Sequence, residues 1–537
     1  GQPVAWFQLV IEKVSIVSSP VLENQSVTST EHKNHCVIAL TYDREMTTTT
    51  ATIGDRTVTA EGGSATLYFP VWDLEYNKDY TLTIAAGAAQ DTYGNSNTEA
   101  INIPIKVGSK AVVEKAVYDY VVSDVDEFKA AFAAVNNSNT SADAARKTIF
   151  IKNGDYDFGS EEQRLTAYNV SLIGESRDGV MLHGNRDGIS NPVLNLRDRT
   201  GFYLQDLTVR NDNNFGKEEK GGVAVAIYGG DKTAMKNVRM LSNQDTQVTG
   251  NRAYFENCEI HGTVDFICGG GDNFYSHTDL VLEDRGGNCI TAPSTSSTLK
   301  WGYVFQNCII RAAEGATSVT NGSYNLGRPW QDTPRANFLN TIMYVLPSDG
   351  AWAGMSEGLT THFYEYNSMN PDSTKVDLSK RTNSPSSANK YTPVLTDEEA
   401  KAYTLENVLG GTDSWLPTEE TVTVAAPVVT VKDKTLSWED SDDARCYVIF
   451  CDGEYVTNQT ETTFTITTDG KYTVRAANVN GGLGEVSNVV DTSVSGITTV
   501  EADKNEEYII YNLNGQRVNT MQKGQVYIVN GKKVIYQ

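Results

Sequence analysis

Basic residues are scarce in this 537-residue chain: 44 Lys and Arg stand against 68 Asp and Glu, giving a formal charge of −24. A field of that sign repels a phosphate backbone, which argues against nucleic acid as a partner. The seven cysteines form no Cys-x-x-Cys pair, so neither a disulfide scaffold nor a zinc site is indicated. Long apolar stretches are missing too, and without a run of eighteen such residues no segment reads as a membrane-spanning helix. The opening Gly1-Gln2-Pro3 lacks a basic stretch followed by an apolar one. It reads as a processed or trimmed terminus, and export has to be inferred from the domains.

What is present is strand patterning in several blocks. A chain this long exceeds one ordinary core, so about three or four domains are expected. Residues 1–110 alternate apolar and polar side chains, as in Val37-Ile38-Ala39-Leu40-Thr41-Tyr42, and predict an antiparallel sandwich. The phrases Thr41-Tyr42-Asp43-Arg44-Glu45-Met46 and Asp91-Thr92-Tyr93-Gly94-Asn95 resemble bacterial Ig-like modules, which act as spacers. A helical pattern over about 125–136 is expected to cap a solenoid. From about 147 to 365 one phrase recurs: an aromatic or apolar start, a polar pair often containing Asn or Asp, then a short apolar run. Tyr254-Phe255-Glu256-Asn257-Cys258-Glu259-Ile260 and Val304-Phe305-Gln306-Asn307-Cys308-Ile309-Ile310 are examples. An irregular period with a shared phrase predicts an all-β, right-handed parallel β-helix with long loops. Cys258, Cys289 and Cys308 each follow an asparagine and are expected to stack on successive coils as small buried residues.

Residues 387–411 are predicted helical, with Thr396 and Glu399 forming a capping box. Residues 420–496 return to alternation, and Thr435-Leu436-Ser437-Trp438 with Tyr472-Thr473-Val474-Arg475 resembles a fibronectin type III module. Residues 497–537 resemble small C-terminal β-modules of exported Bacteroidetes proteins. The predicted order is therefore sandwich (1–110), β-helix with helical caps (111–419), sandwich (420–496) and terminal module (497–537).

Asp245 and Asp265 lie twenty residues apart inside the repetitive block, about one coil of a solenoid whose strands stack roughly 4.8 Å apart. Two carboxylates that close cannot both ionise cheaply, because each charge raises the other's pKa. Such a pair supplies an acid with a base, or an acid with a nucleophile.

The residues around the pair carry a resemblance. Gln244-Asp245-Thr246, Gly262-Thr263-Val264-Asp265-Phe266-Ile267 and Leu326-Gly327-Arg328-Pro329-Trp330 occur in the order and spacing of pectin methylesterases. Weaker phrases such as Leu172-Ile173-Gly174-Glu175 and Trp415-Leu416-Pro417 extend the similarity over roughly 112–418. The resemblance implies a β-helix esterase in which Asp265 is the nucleophile, Asp245 the acid and base, Gln244 an oxyanion donor, and Arg328 the group that orients Asp265. It also implies sugar-facing roles for Trp330 and Trp352, with no metal or other cofactor. The implied partner is a methyl-esterified pectic polysaccharide, locally neutral and so compatible with an acidic protein. A monomer is expected, secreted, periplasmic or at the cell surface. His261 and His277 are read as structural.

Two positions depart from the family pattern. Val223 stands where the family has an upstream glutamine, and Cys268 where it usually has a phenylalanine beside the groove, so the resemblance implies that both belong to the substrate-binding surface. Losing one oxyanion donor costs about 2.7–4 kcal/mol unless another group replaces it. Three alternatives stay open: an esterase for a complex or branched pectin, a non-catalytic pectin binder, and a β-helix polyuronate lyase or glycoside hydrolase.

Overall fold

Asparagine and aspartate enter the left-handed backbone region more readily than other side-chain-bearing residues, because their short polar groups hydrogen-bond locally. The chain uses this once per coil. The computed structural model describes residues 16–18, 34–213, 215–217, 221–493, 510–512, 517–518, 526–529 and 532–535. In it, Asp206, Asn237, Asn257, His277, Asn307, Asn340 and Asn367 all have φ between 51 and 56°. The Asn257 amide donates to Ser276 O at 3.0 Å, His277 to Gln306 O at 3.1 Å, and Asn307 to Leu339 O at 3.0 Å. These residues form one column along a corner, and they are the polar positions of the repeated phrase.

The corners separate three parallel sheets of ten, eight and seven strands, which together make a right-handed parallel β-helix. The ten-stranded sheet runs from Tyr120–Val122 to His362–Tyr366, the eight-stranded from Gly154–Asp157 to Ile342–Met343, and the seven-stranded from Gln163–Leu165 to Tyr324–Gly327. Inside, like stacks on like. Phe255, Tyr275, Phe305 and Phe338 form a ladder with centroid spacings of 4.5, 4.4 and 4.4 Å. Helix Val125–Ser138, N-capped by Asp124, buries Phe128, Ala131, Phe132 and Val135 against the first coils. It thereby covers an end that would otherwise expose strand edges.

Antiparallel sheets flank this body. Three- and four-stranded sheets enclose Leu40, Leu67, Phe69 and Leu82 in one sandwich, and three- and five-stranded sheets enclose Leu436, Trp438, Tyr447 and Val474 in another. Val448 and Phe450 of the latter, with Val408, Leu409 and Trp415, pack on Phe150, Tyr203, Tyr254 and Phe274 of the ten-stranded sheet. That face is closed by protein. Of the proposed terminal module, only the four short strands between Ile510 and Ile535 are described, as one antiparallel sheet; its other residues, and most of residues 1–33, lie outside the described residues.

Two expectations need correcting. Of residues 387–411 only Asp397–Ala400 and Leu405–Leu409 are helical, although the Thr396–Glu399 capping box is present. Pro385 and Pro393 interrupt the preceding stretch, which instead pairs with the last coil through Leu359↔Ser387 and Glu365↔Val394. The cysteines do not share one column. Cys258 and Cys308 sit at the Asn corner with Thr278 between them, joined through Asp279 N to Cys258 O and Ile309 N to Thr278 O. Cys289 lies in strand Asn288–Pro293 of the seven-stranded sheet, because Asn288, unlike Asn257 and Asn307, is not left-handed. All seven are free thiols.

Candidate active site

A left-handed residue inside a strand has a different consequence from one at a corner. Asp265 has φ 52° within strand Val264–Gly269, and pairing of that strand with Asn288–Pro293 shifts register between Val264 and Ile267. The bulge re-aims the Asp265 side chain. Asp245, at φ 60°, lies two residues before strand Gln247–Thr249, and the pairing Gln247↔Ile267 sets the two aspartates one coil apart, about 4.8 Å. Both are buried, 9% and 5% exposed.

Arg328 follows strand Tyr324–Gly327, which pairs with Asn288–Pro293 and is therefore two coils beyond Asp265. Sixty-three residues shrink to two coils because 294–302 and 313–323 leave the stack as loops. The guanidinium reaches back with both edges: Nε donates to Asp265 Oδ1 at 2.8 Å and Nη2 to Oδ2 at 2.6 Å. A bidentate pair of this kind fixes the carboxylate's plane as well as its charge.

Asp245 is left without such a cation of its own. Burial, then the charge of Asp265, push its pKa up from 3.8 to about 7, with Arg328 and a hydrogen bond from the Gln244 side chain pulling the other way. The pair is thus asymmetric: one carboxylate is held by arginine and the other keeps its proton near neutrality.

Val223 and Cys268 do not present a surface to a ligand. They are 0% and 1% exposed, and with Ala226, Val248 and Ala292 they form an apolar column under the half-buried side chains of Ile189, Tyr228 and Trp330. Their assignment to the substrate-binding surface is corrected accordingly: they shape the floor from below. Cys268 Sγ lies 3.9 Å from Asp245 Oδ1, so its bulk adds to the burial of that carboxyl. Trp352 is likewise corrected. It is 4% exposed and stacks on Phe363 at 4.9 Å, finishing the interior aromatic ladder, because the left-handed Ala351 and the Gly327↔Trp352 bridge direct its ring inward. Trp330 remains partly exposed, packed on the apolar column that contains Cys268.

Two neighbours carried no readable signal. Burial and then the adjacent Asp265 charge raise the Cys289 thiol, whose Sγ donates to Thr291 O at 3.6 Å; in sequence its Asn-Cys context matched the corner cysteines. Tyr228 stands near Cys268 and Asp245, its pKa pushed up to about 12, mainly by burial, and its hydroxyl donates to Ile189 O. His261 is elsewhere, held at 2.6 Å by both Glu259 and Glu283, and His277 is a corner residue. Among the described residues, Asp157, His183 and Asp212 could together hold a cation. Asp157 and His183 lie on the eight-stranded sheet and Asp212 just past its strand Thr208–Asn211, and the imidazole is already 2.5 Å from Asp212 Oδ2 and 2.9 Å from Asp155 Oδ1.

Residues 119–412 match the family model of pectinesterases. The chain belongs to the pectinesterase family. Pectinesterase A of Dickeya dadantii is 30% identical over 370 residues, spanning 60% of this chain and 98% of that protein. Probable pectinesterase A of Aspergillus niger is 30% identical over 278 residues, spanning 49% and 80%. Among solved structures, pectin methylesterase PemA from Erwinia chrysanthemi shares 26% identity, with 56% of this chain and 99% of that chain covered at a TM-score of 0.45. As a pectinesterase the protein is a carboxylic ester hydrolase, and the family match coincides with the β-helix and its flanking helices. No helix among the described residues is long and apolar enough to cross a membrane.

Proposed function

We propose that this pectinesterase hydrolyses methyl esters of galacturonate residues in pectin, releasing methanol through an aspartyl acyl-enzyme. The observation that carries the reading is the asymmetry of the aspartate pair. Asp265, gripped at both oxygens by Arg328, attacks the ester carbonyl. The C–O bond to methoxide breaks as Asp245 gives up its proton, so methanol leaves and an anhydride joins Asp265 to the uronate. Water then attacks the anhydride carbonyl and gives one proton to Asp245, the acyl–oxygen bond to Asp265 breaks, and the released galacturonic acid passes its remaining proton to solvent to become the free carboxylate.

The oxyanion of each tetrahedral intermediate needs a donor. Val223 offers none, and Gln244 is the side-chain amide already in contact with the pair. One Gln244 donor bond thereby moves from the Asp245 carboxylate to the oxyanion once Asp245 is protonated. Trp330 presents its exposed part to the sugar ring. A complex or branched pectin suits the altered floor, where Cys268 replaces a larger ring. We place the protein outside the cytoplasm, as a monomer whose sandwiches (1–110 and 420–496) and terminal module (497–537) carry the β-helix (111–419).

Methanol release from a panel of simple and branched methyl-pectins tests the reading. Release by the parent chain, lost in Asp265→Ala with polymer binding retained, is the expected result. Methanol from no member of the panel would leave a pectin binder instead. Unsaturated chain ends, or activity abolished by a chelator, would point to a lyase.

A further inference from the structure

The first strand of the eight-stranded sheet, Gly154–Asp157, lies at its edge, and alternation sends Asp155 and Asp157 outward on either side of the buried Tyr156. Asp157 pairs in register with His183 of the next strand, Val180–Gly184. The histidine is 6% exposed. Its Nδ1 lies 2.5 Å from Asp212 Oδ2, and because an ionised carboxylate only accepts, that nitrogen carries a proton. Arg210 Nε donates to Asp212 Oδ1 at 2.5 Å and so fixes the carboxylate from its other side. Arg210 Nη2, 3.5 Å from Nδ1, is too distant to compete for that nitrogen.

In the neutral ring the other nitrogen, Nε2, keeps a lone pair. It is buried without a hydrogen bond, although Asp155 Oδ1 stands 2.9 Å away, a separation at which only misalignment prevents one. Asp157 adds a carboxylate oxygen within 4.8 Å of a ring nitrogen of His183. Among the described residues, no lysine or arginine forms an ion pair with Asp155 or Asp157. A lone pair facing two carboxylates is repulsive until a cation stands between them. The spacing fits one: two donors each about 2.0–2.1 Å from a shared ion, at 90–109°, stand about 2.9–3.4 Å apart. An imidazole whose second nitrogen donates to a fixed carboxylate is also the usual support of a metal-bound histidine.

We propose that Asp155, Asp157 and His183 Nε2 bind a divalent transition-metal ion of the zinc type, with Asp212 as the outer carboxylate that orients the imidazole. One imidazole with two carboxylates suits Zn²⁺ better than Mg²⁺ or Ca²⁺, which favour all-oxygen sets. The Asp155 side chain is 75% exposed, so water reaches the remaining coordination positions. The ion staples the edge strand, which has one neighbour in its sheet, to the coil that follows it. This site is on a different sheet from the strand that carries Asp265, and no step of ester hydrolysis passes through it. The proposal is therefore independent of the pectin methylesterase reading.

The test uses the full chain without an affinity tag, stripped by a chelator that is then dialysed away, and titrated by calorimetry with zinc chloride alone. One ion per chain at micromolar or tighter affinity is expected, and saturating zinc is expected to raise the melting temperature of the β-helix. Asp155→Asn and Asp157→Asn change exposed side chains, and an asparagine at 157 can still accept from Gly159 N as Asp157 Oδ1 does. Both should keep the metal-free melting temperature and weaken zinc binding at least about tenfold. Asp212→Asn leaves the ion's own ligands in place and should weaken it by about 10–100-fold. No binding, several weak ions per chain, or an affinity that the three variants leave unchanged overturns the proposal. The free thiols or scattered carboxylates would then be the binders, and a second proton on His183 would hold Asp155. Magnesium chloride binding one-to-one in place of zinc, and lost in the same variants, overturns the assignment to a transition metal.

Discussion

Replacing Asp245 by asparagine should make the protein more stable at pH 8 than its parent while leaving the two nearly level at pH 4. The carboxyl is 9% exposed and its pKa is raised from 3.8 to about 7, chiefly by burial and then by Asp265. A group whose folded-state pKa is raised contributes its stability below the unfolded value and loses it as pH climbs through the folded one. Here the unfolded chain ionises Asp245 from about pH 4 upward while the folded chain still holds the proton. At about 1.36 kcal/mol per pH unit, the parent loses up to about 4 kcal/mol between pH 4 and pH 8. The amide cannot ionise and avoids that loss. Because a multidomain chain does not unfold in one step, the comparison is made on the β-helix transition in calorimetric scans of parent and variant at matched pH. Any constant cost of the amide cancels in the pH dependence. The reasoning is refuted if the difference between the two stays within about 1 kcal/mol from pH 4 to pH 8. The same proton governs turnover: methanol release should decline as pH rises through about 7, where the acid form of Asp245 is depleted.

Arg328→Lys keeps a charge but cannot grip both oxygens of Asp265, and misalignment of the nucleophile should cost about 100-fold in kcat/KM; activity within a few-fold of the parent would remove the arginine from the orienting role. The two tryptophans should part company. Trp352→Ala empties part of the interior ladder and should cost about 3–5 kcal/mol of stability, seen in thermal unfolding, whereas Trp330→Ala should raise KM for methyl-pectin with a much smaller change in melting. At the corner, Asn257→Ala forces a less tolerant residue to φ 52° and should destabilise by about 1 kcal/mol, while Asn257→Gly should be better tolerated.

Repetition made the β-helix legible in the chain, because each coil needs a left-handed corner residue and each interior position needs an apolar partner above and below. Asn257 and Asn307 announce both requirements locally. The twenty-residue interval between Asp245 and Asp265 likewise survives folding, since the register between their strands is offset by the same twenty. The Arg328 contact was not readable from spacing, because the loops at 294–302 and 313–323 add residues without adding coils. Nor could composition tell Trp330 from Trp352, or show that Val223 and Cys268 lie beneath the surface. Side-chain direction at those points depends on a bulge, on the left-handed Ala351, and on what Ile189 and Tyr228 cover.

From the amino-acid sequence alone came the coil, the corners and the pairing of two acids, all of which follow from interactions between positions a fixed number of residues apart. Only the folded structure decided which acid is held by a cation, which keeps a proton, and which aromatic rings face outward. Those outcomes depend on burial and on contacts between segments whose separation along the chain bears no relation to their distance in space.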